Sequence, residues 1–335
     1  MLRWQQGLNE DPLAWLLEPD PVNPAVRYFT LRDLLDRPEN EPQVRQARTE
    51  IMTSGPVPII LTAQHPDGYW VKPGGGYAPS YRATIWQIIF LAELGANPTD
   101  ERVKRGCEYL LRHSIAANGA FSMSQRPVPS STVHCLNGDL IYALLRLGYA
   151  DDPRLQAALD WQVRAITGQG QIRYYKSGTT GPDFSCTANG ALPCAWGAIK
   201  AMKALLAVPA GIRTPAMQQA IKVGAEFLLS RNPAVADYPY LERINSSWFK
   251  FSFPLSYRSD VLENTAVLVD LGFGRDPRLS DVFRLILSKQ DSQGRWSMEN
   301  TLNGKMWVDI EQKGQPSKWV TLRALRVLKG GYTPQ

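Results

Sequence analysis

The feature that most constrains this chain is that it repeats itself. The segment LLRLGYADDPRLQAALDWQ (144–162) returns as VDLGFGRDPRLSDVFRLILSKQ (269–290). Both read Leu-Gly-aromatic, then Asp-Pro-Arg-Leu, then an apolar helical stripe. A weaker copy, LAELGANPTDERVKRGCEYLL (91–111), has Asn-Pro in place of Asp-Pro. Its tail GCEYLL (106–111) recurs as GAEFLL (224–229), which makes VPAGIRTPAMQQAIKVGAEFLL (208–229) a further copy. Self-similarity at a fixed period marks a stacked architecture, because one unit cannot bury its apolar face alone.

Each unit has a local reading. Leu-Gly closes a first helix, with Gly in the left-handed position that ends it. Asp-Pro or Asn-Pro opens a second helix, the acid capping and the proline fitting the first turn. Leu155, Ala158, Leu159 and Gln162 then follow at helical spacing. Period-2 strand runs are scarce, so the unit is a helical hairpin. First helices are predicted near 29–36, 82–94, 136–147, 195–207, 259–271 and 317–328. Second helices are predicted near 42–63, 100–113, 153–166, 214–230 and 277–289. About five hairpins plus a closing helix, KWVTLRALRVL (318–328), would form an all-α, α/α toroid with odd elements inside and even ones outside. No Gly/Ser linker interrupts the pattern, so residues 1–335 are expected to be one domain, with the repeat over about 24–329.

Composition narrows the function classes. With 44% hydrophobic and 20% charged residues the chain is globular rather than disordered. The net charge of +6 is spread along the length with no basic block, which argues against a nucleic-acid partner. No run approaches the ~18 apolar residues of a bilayer span, which leaves at most a peripheral membrane contact. The segment MLRWQQGLNEDPLAWLLEPD lacks the apolar run of a secretory signal, and four unevenly spaced cysteines read as thiols or ligands. A cytoplasmic location is therefore expected.

The turn QHPDGYW (64–70) and its partner QDSQGRW (290–296) resemble the Gln-Trp repeat of squalene–hopene and oxidosqualene cyclases. The same toroid is shared by the β subunits of protein prenyltransferases. The resemblance covers most of 24–329. It implies an α/α toroid around a central cavity for a hydrophobic, isoprenoid-like molecule, and an isomerase, lyase or transferase activity. The Asp-x-Asp-Asp motif of type II cyclases is missing, as are Asp-Asp-x-x-Asp and the thioester sequence of complement-type toroids. Asp151-Asp152 before Pro153 reads as a helix cap.

The inner-helix N-termini are expected to surround one mouth of a central cavity, where helix dipoles favour anions. Cys135-Leu-Asn-Gly138 and Cys194-Ala-Trp-Gly197 open adjacent inner helices at equivalent repeat positions. With Cys186 in the preceding loop and His134 beside Cys135, they form a candidate Zn²⁺ ligand set. The plainer reading is small buried residues at helix starts. Asp139, Asp260 and Glu263 are candidate general acids, since acids buried in an aromatic cavity have raised pKa values. Alternatively Asp139 and Asp260 cap helices and pair with Arg82 or Arg258. Lys200 and Lys203 are expected on a solvated face, although they could meet an anionic ligand. Trp86, Trp196, Trp248, Tyr257 and Trp319 are candidate substrate-binding residues, able to stabilise cationic charge through their rings.

The preferred expectation is a toroid with an apolar, aromatic-lined cavity that binds, and could transform, a small hydrophobic molecule. Two alternatives stand beside it. One is a carbohydrate lyase or hydrolase on the same architecture, needing paired acids in an open groove. The other is a non-enzymatic binder or scaffold.

Overall fold

The computed structural model describes residues 3–169, 180–240 and 246–332. Among these residues the helices are α1 (Leu13–Leu17), α2 (Pro24–Phe29), α3 (Pro42–Thr53), α4 (Pro56–Thr62), α5 (Thr84–Glu93) and α6 (Glu101–His113). They continue as α7 (His134–Arg146), α8 (Pro153–Thr167), α9 (Ala195–Ala207), α10 (Pro215–Leu229), α11 (Val261–Leu268), α12 (Ser280–Ser288) and α13 (Lys318–Gly331). No strand forms among the described residues, only isolated bridges. None of their helices is long and apolar enough to cross a membrane.

The chain is an α/α toroid. Inner helices pack in sequence around the ring: α5 on α7, α7 on α9, α9 on α11, α11 on α13, and α13 on α2. The Phe29 ring at the end of α2 lies against Gly95, just beyond α5, and closes the circle. Each inner helix carries its outer partner: α3 on α2, α6 on α5, α8 on α7, α10 on α9 and α12 on α11. The inner helices are almost wholly buried and correspondingly apolar, whereas α6 exposes one charged face.

The Leu-Gly closures form as expected, with Gly95, Gly148 and Gly272 at φ 77°, 89° and 91°. Asp152 and Asp276 each cap the following turn, at the N–H of Arg154 and Arg278. The expected single helix over 42–63 is two helices. Ser54 turns extended and Gly55 takes φ 70°, where a Cβ would meet Pro24 Cδ at 2.6 Å. The close approach of Pro24 therefore breaks what periodicity alone would continue.

The two Gln-Trp turns superimpose in their bonding. The Trp70 indole donates to Ile60 O (2.8 Å) and its backbone N–H to Thr84 Oγ1 (3.1 Å). The Trp296 indole donates to Ile286 O (2.7 Å) and its backbone N–H to Thr321 Oγ1 (3.0 Å). Both rings are fully buried, each tying an outer helix to the next inner one. Gln64 reaches Arg102 O at the start of α6, and Gln290 reaches Gly7 O (2.9 Å each). The N-terminal segment thus takes the place of the next outer helix where the ring closes.

Connections differ at the two ends of the ring. Inner-to-outer turns are tight, at 94–100, 147–152 and 208–214. Outer-to-inner connections are long, at 63–83, 114–133, 230–260 and 289–317. Only the long ones can fold over the axis, and they do so at the N-terminal ends of the inner helices.

Candidate functional site

Single charges embedded in the apolar inner helices converge on the axis. Lys200, on α9, is fully buried, with Nζ 3.2 Å from Asp139 Oδ1 on α7 and 2.9 Å from Glu263 Oε1 on α11. One turn on, Lys203 Nζ lies 3.1 Å from Glu93 Oε1 and 3.2 Å from Glu263 Oε1, and 4.4 Å from the Tyr142 ring centroid. Arg323, on α13, grips Asp260 with two bonds of 2.9 and 2.8 Å. Asp260 also caps α11 at the Glu263 N–H (2.8 Å). Gly138 permits this convergence, because a Cβ there would meet the Lys200 backbone at 2.4 Å.

The sequence expectation of a solvated face for Lys200 and Lys203 is therefore corrected: both point into the ring, where buried charge persists only when paired. Asp260 caps a helix as expected, but its partner is Arg323 rather than Arg82 or Arg258. Burial works against ionisation of Glu263, yet Lys200, Lys203 and Arg323 outweigh it and hold the carboxyl at about 2. Burial pushes Asp139 up to about 7 against the pull of the two lysines.

Above this charged layer lies a cavity of about 530 Å³, within the size range of small-molecule sites. It opens at the C-terminal ends of the inner helices, beside Arg146, Leu206, Ala207 and Val327, and runs down along α11 and α13 to Trp319. The sequence reading looked to the N-terminal ends of these helices, and this opening lies at the other end. One wall is aromatic and aliphatic: Phe29, Tyr142, Phe253, Leu255 and Trp319. Phe253 and Trp319 stack with centroids 3.9 Å apart and planes at 8°. The remainder carries six basic side chains (Arg32, Arg146, Lys203, Arg213, Arg323, Arg326) and four acidic ones (Asp33, Glu93, Glu263, Asp270).

Most of these charges are committed. Arg213 bonds the carbonyls of Leu206 and Val208 (2.8 Å each) at the end of α9. Arg32 and Arg326 share Asp33, and each guanidinium lies 4.8 Å from the Phe29 ring centroid. Arg146 and Asp270 are exposed to the cavity, with no hydrogen bond or ion pair among the described residues. Asp270 sits in a π-helical turn (Val269–Phe273) that extends α11, and Asp33 in the matching turn (Thr30–Leu34) after α2. Such turns often mark functional positions. Crowding by protein raises the Asp270 carboxyl above its ordinary value.

Aromatic rings pack across the opposite end, beside a smaller hollow of about 100 Å³ lined by Tyr81, Ser252, Arg258 and Asp260. The buried Trp86 packs against Tyr77, Tyr81 and Tyr257 at 5.3, 5.0 and 6.2 Å, and Tyr257 continues to Trp196 at 6.4 Å. Trp248 is buried, its indole donating to Pro233 O (2.9 Å). Of the five candidate substrate-binding aromatics, Trp319 lines the cavity. Trp86, Trp196, Trp248 and Tyr257 lie at the N-terminal end.

The cysteines gather at that end. Cys186, Cys194 and Cys135 lie near enough to perturb one another, and with burial the neighbouring thiols hold Cys194 well above its ordinary value. His134 faces another way. Its Nε2–H donates to Gly181 O (3.0 Å) while Nδ1 accepts from Gln162 Nε2 (2.6 Å), between Trp161 and Phe184. Burial lowers it to about 4, so it is neutral and ties α7 to α8 and to the 180–184 segment. Among the described residues no group of three His, Cys, Asp or Glu is placed to hold a metal ion.

The sequence reading passed over Glu93, Arg323, Arg326, Arg146, Asp33 and Asp270. A usable signal was present for several: Arg323 and Arg326, like Lys200 and Lys203, are paired charges three apart in otherwise apolar inner helices. A helix apolar all round is buried, so its charges must meet partners inside.

No family model and no curated protein matches the chain. Among solved structures it is similar to a protein from Actinoplanes, at 14% identity over 92% of this chain and 90% of that one, with TM-score 0.43. It is also similar to an unsaturated glucuronyl hydrolase specific for heparin, at 10% identity over 93% and 85%, with TM-score 0.47. A third is the type II terpene cyclase MstE from Scytonema, at 14% identity over 92% and 87%, with TM-score 0.44. Similarity this distant leaves the functional argument to the chain's own residues.

Proposed function

We propose that this toroid binds a small amphipathic molecule with an acidic group in its axial cavity and carries out proton-transfer chemistry on it. The observation that carries the reading is the two-sided lining. An apolar wall at Phe29, Tyr142, Phe253 and Trp319 accompanies a charged wall in which Arg146 has no hydrogen-bond or ion-pair partner among the described residues. The hydrophobic body, isoprenoid in the preferred form, lies on the aromatic wall, where burial of apolar surface supplies affinity. Its acidic group meets Arg146, with Arg32 and Arg326 nearby.

Asp270 is the proton donor in this reading, being open to the cavity and raised in pKa. Glu263, held ionised at about 2, gives fixed negative charge at the cavity floor to offset positive charge developing on the substrate. Asp139 and Asp260 support the floor from behind it. A second reading, a sugar acid in place of the isoprenoid, is favoured by the charged wall alone. In this reading the protein works in the cytoplasm.

The test is calorimetric titration and thermal melting with farnesyl diphosphate, farnesol and glucuronic acid. One-to-one binding of farnesyl diphosphate, weakened at least fivefold for farnesol, supports the reading. Tight binding of glucuronic acid alone moves the assignment to the sugar acid. Binding of none of the three removes it.

A further inference from the structure

The segment 252–256, which leads toward α11, serves two spaces in alternation. Phe253 and Leu255 line the axial cavity, while Ser252, Pro254 and Ser256 line the smaller hollow at the N-terminal end. Side chains that alternate in this way, as along a strand, let one stretch of backbone wall both. The stretch is pinned at two points: the Ser252 N–H donates to Asp260 Oδ2 (3.2 Å) and the Leu255 N–H to Glu93 Oε2 (3.1 Å). The triplet Ser-Tyr-Arg stands before α5 (80–82) and again before α11 (256–258). Tyr81 of the first copy and Ser256 and Arg258 of the second line the hollow together. Its volume of about 100 Å³ has room for several waters or for one small oxyanion.

The charges of the hollow do not balance. Asp260 is the acid of its described lining, and both carboxylate oxygens are already committed. Arg323 takes them at 2.9 and 2.8 Å, with the Ser252 and Glu263 N–H groups completing the set. Arg258 and Lys305 line the same hollow and have no ion-pair partner among the described residues. The Arg258 guanidinium rests 5.8 Å from the ring centroids of Trp196 and Tyr257, a placement that leaves its N–H groups for a ligand. Ser259 is 3% exposed, and its Oγ has no hydrogen-bond partner among the described residues. A buried hydroxyl is costly unless it finds a partner.

We propose that this hollow binds a phosphate group, either the free ion or the head of a small phosphate monoester. Arg258 and Lys305 supply positive charge, and the hydroxyls of Ser252, Ser256 and Ser259 donate to the phosphate oxygens. These groups together offer more N–H and O–H hydrogens than the roughly four lone-pair sites of a carboxylate accept, whereas the oxygens of a phosphate accommodate them. The site is separate from the axial cavity. The Asp260–Arg323 pair stands between the two, Arg323 lining the cavity and Asp260 the hollow.

The experiment is calorimetric titration of the full-length protein with inorganic phosphate and with glycerol 3-phosphate at fixed ionic strength. The Arg146→Ala protein serves as background, so that the unpartnered base of the cavity takes no part. One-to-one saturable binding is expected, weakened at least about fivefold by Arg258→Gln and by Lys305→Gln. Both side chains are exposed, so the two variants should fold as the parent does. Ser259→Ala removes a hydroxyl without a described partner, and should weaken binding without lowering the melting midpoint. Tighter binding of the free ion assigns the site to inorganic phosphate, and tighter binding of glycerol 3-phosphate assigns it to an ester. No saturation by either ligand at millimolar concentration would overturn the proposal. So would binding that Arg258→Gln and Lys305→Gln leave unchanged, or binding that acetate displaces at equal concentration.

Discussion

The two ends of this ring are made from the same helices and differ in almost everything else. At the C-terminal ends a cavity of about 530 Å³ is walled by aromatic rings on one side and charge on the other. At the N-terminal ends the axis is filled by Trp86, Tyr77, Tyr81 and Tyr257, with three thiols alongside. Helix dipoles alone would place a ligand for anions at the N-terminal end. Loop length decides where the larger cavity opens. Long connections such as 63–83 fold back over the N-terminal end and set Tyr77 and Tyr81 against Trp86, while tight turns such as 94–100 leave the other end open. The basic residues at the open end also sit where the C-terminal dipoles favour positive charge.

The layer that divides the two ends offers the largest test. Replacing Lys200 by Met would leave Asp139 and Glu263 short of a buried cation, and should cost about 3–5 kcal/mol in urea unfolding. A loss below ~1 kcal/mol would mean that the layer is hydrated and that the ends communicate. The same layer should show in acid. Glu263 has a folded value of about 2 against an ordinary 4.5, so the unfolded chain takes up the proton first. Its contribution is present above pH 4.5 and lost as the pH falls toward 2, amounting to about 3 kcal/mol. Asp139 acts in the opposite sense, its raised carboxyl favouring the folded state below 3.8 and losing that effect as the pH rises to about 7. Glu263→Gln should flatten the acid limb of the stability curve, and an unchanged limb would refute the assignment.

Smaller effects separate binding from folding. Arg146→Ala at the open end should leave the melting midpoint almost unmoved, since this residue has no protein partner among the described residues. Farnesyl diphosphate should bind it roughly fivefold more weakly, about 1 kcal/mol, by the same titration. Tyr81→Phe at the aromatic end removes a hydroxyl from the hollow it lines with Ser256. It should change stability by about 0.5 kcal/mol or less and leave cavity binding untouched. A binding defect in Tyr81→Phe as large as that in Arg146→Ala would mean that the ligand occupies the aromatic end.

The sequence by itself determined the hairpins, most helix limits and the fastening turns. Those signals are local: Gly95, Gly148 and Gly272 end helices through their own φ angles, and Asp152 and Asp276 cap the residues that follow them. Trp70 and Trp296 were readable for the same reason, each donating to a carbonyl ten residues earlier in the chain. The candidate acids could be named but not sorted. Asp139, Lys200 and Glu263 lie on three different helices, and only the ring order brings α7, α9 and α11 side by side. His134 next to Cys135 looked like a shared site. The helix instead turns the histidine toward Gln162 on α8, away from the thiols. The tertiary structure alone decided which charges are paired, which carboxylate stays open, and at which end the axis is empty. Pairing and filling depend on residues far apart in the chain, and no local periodicity encodes their distance.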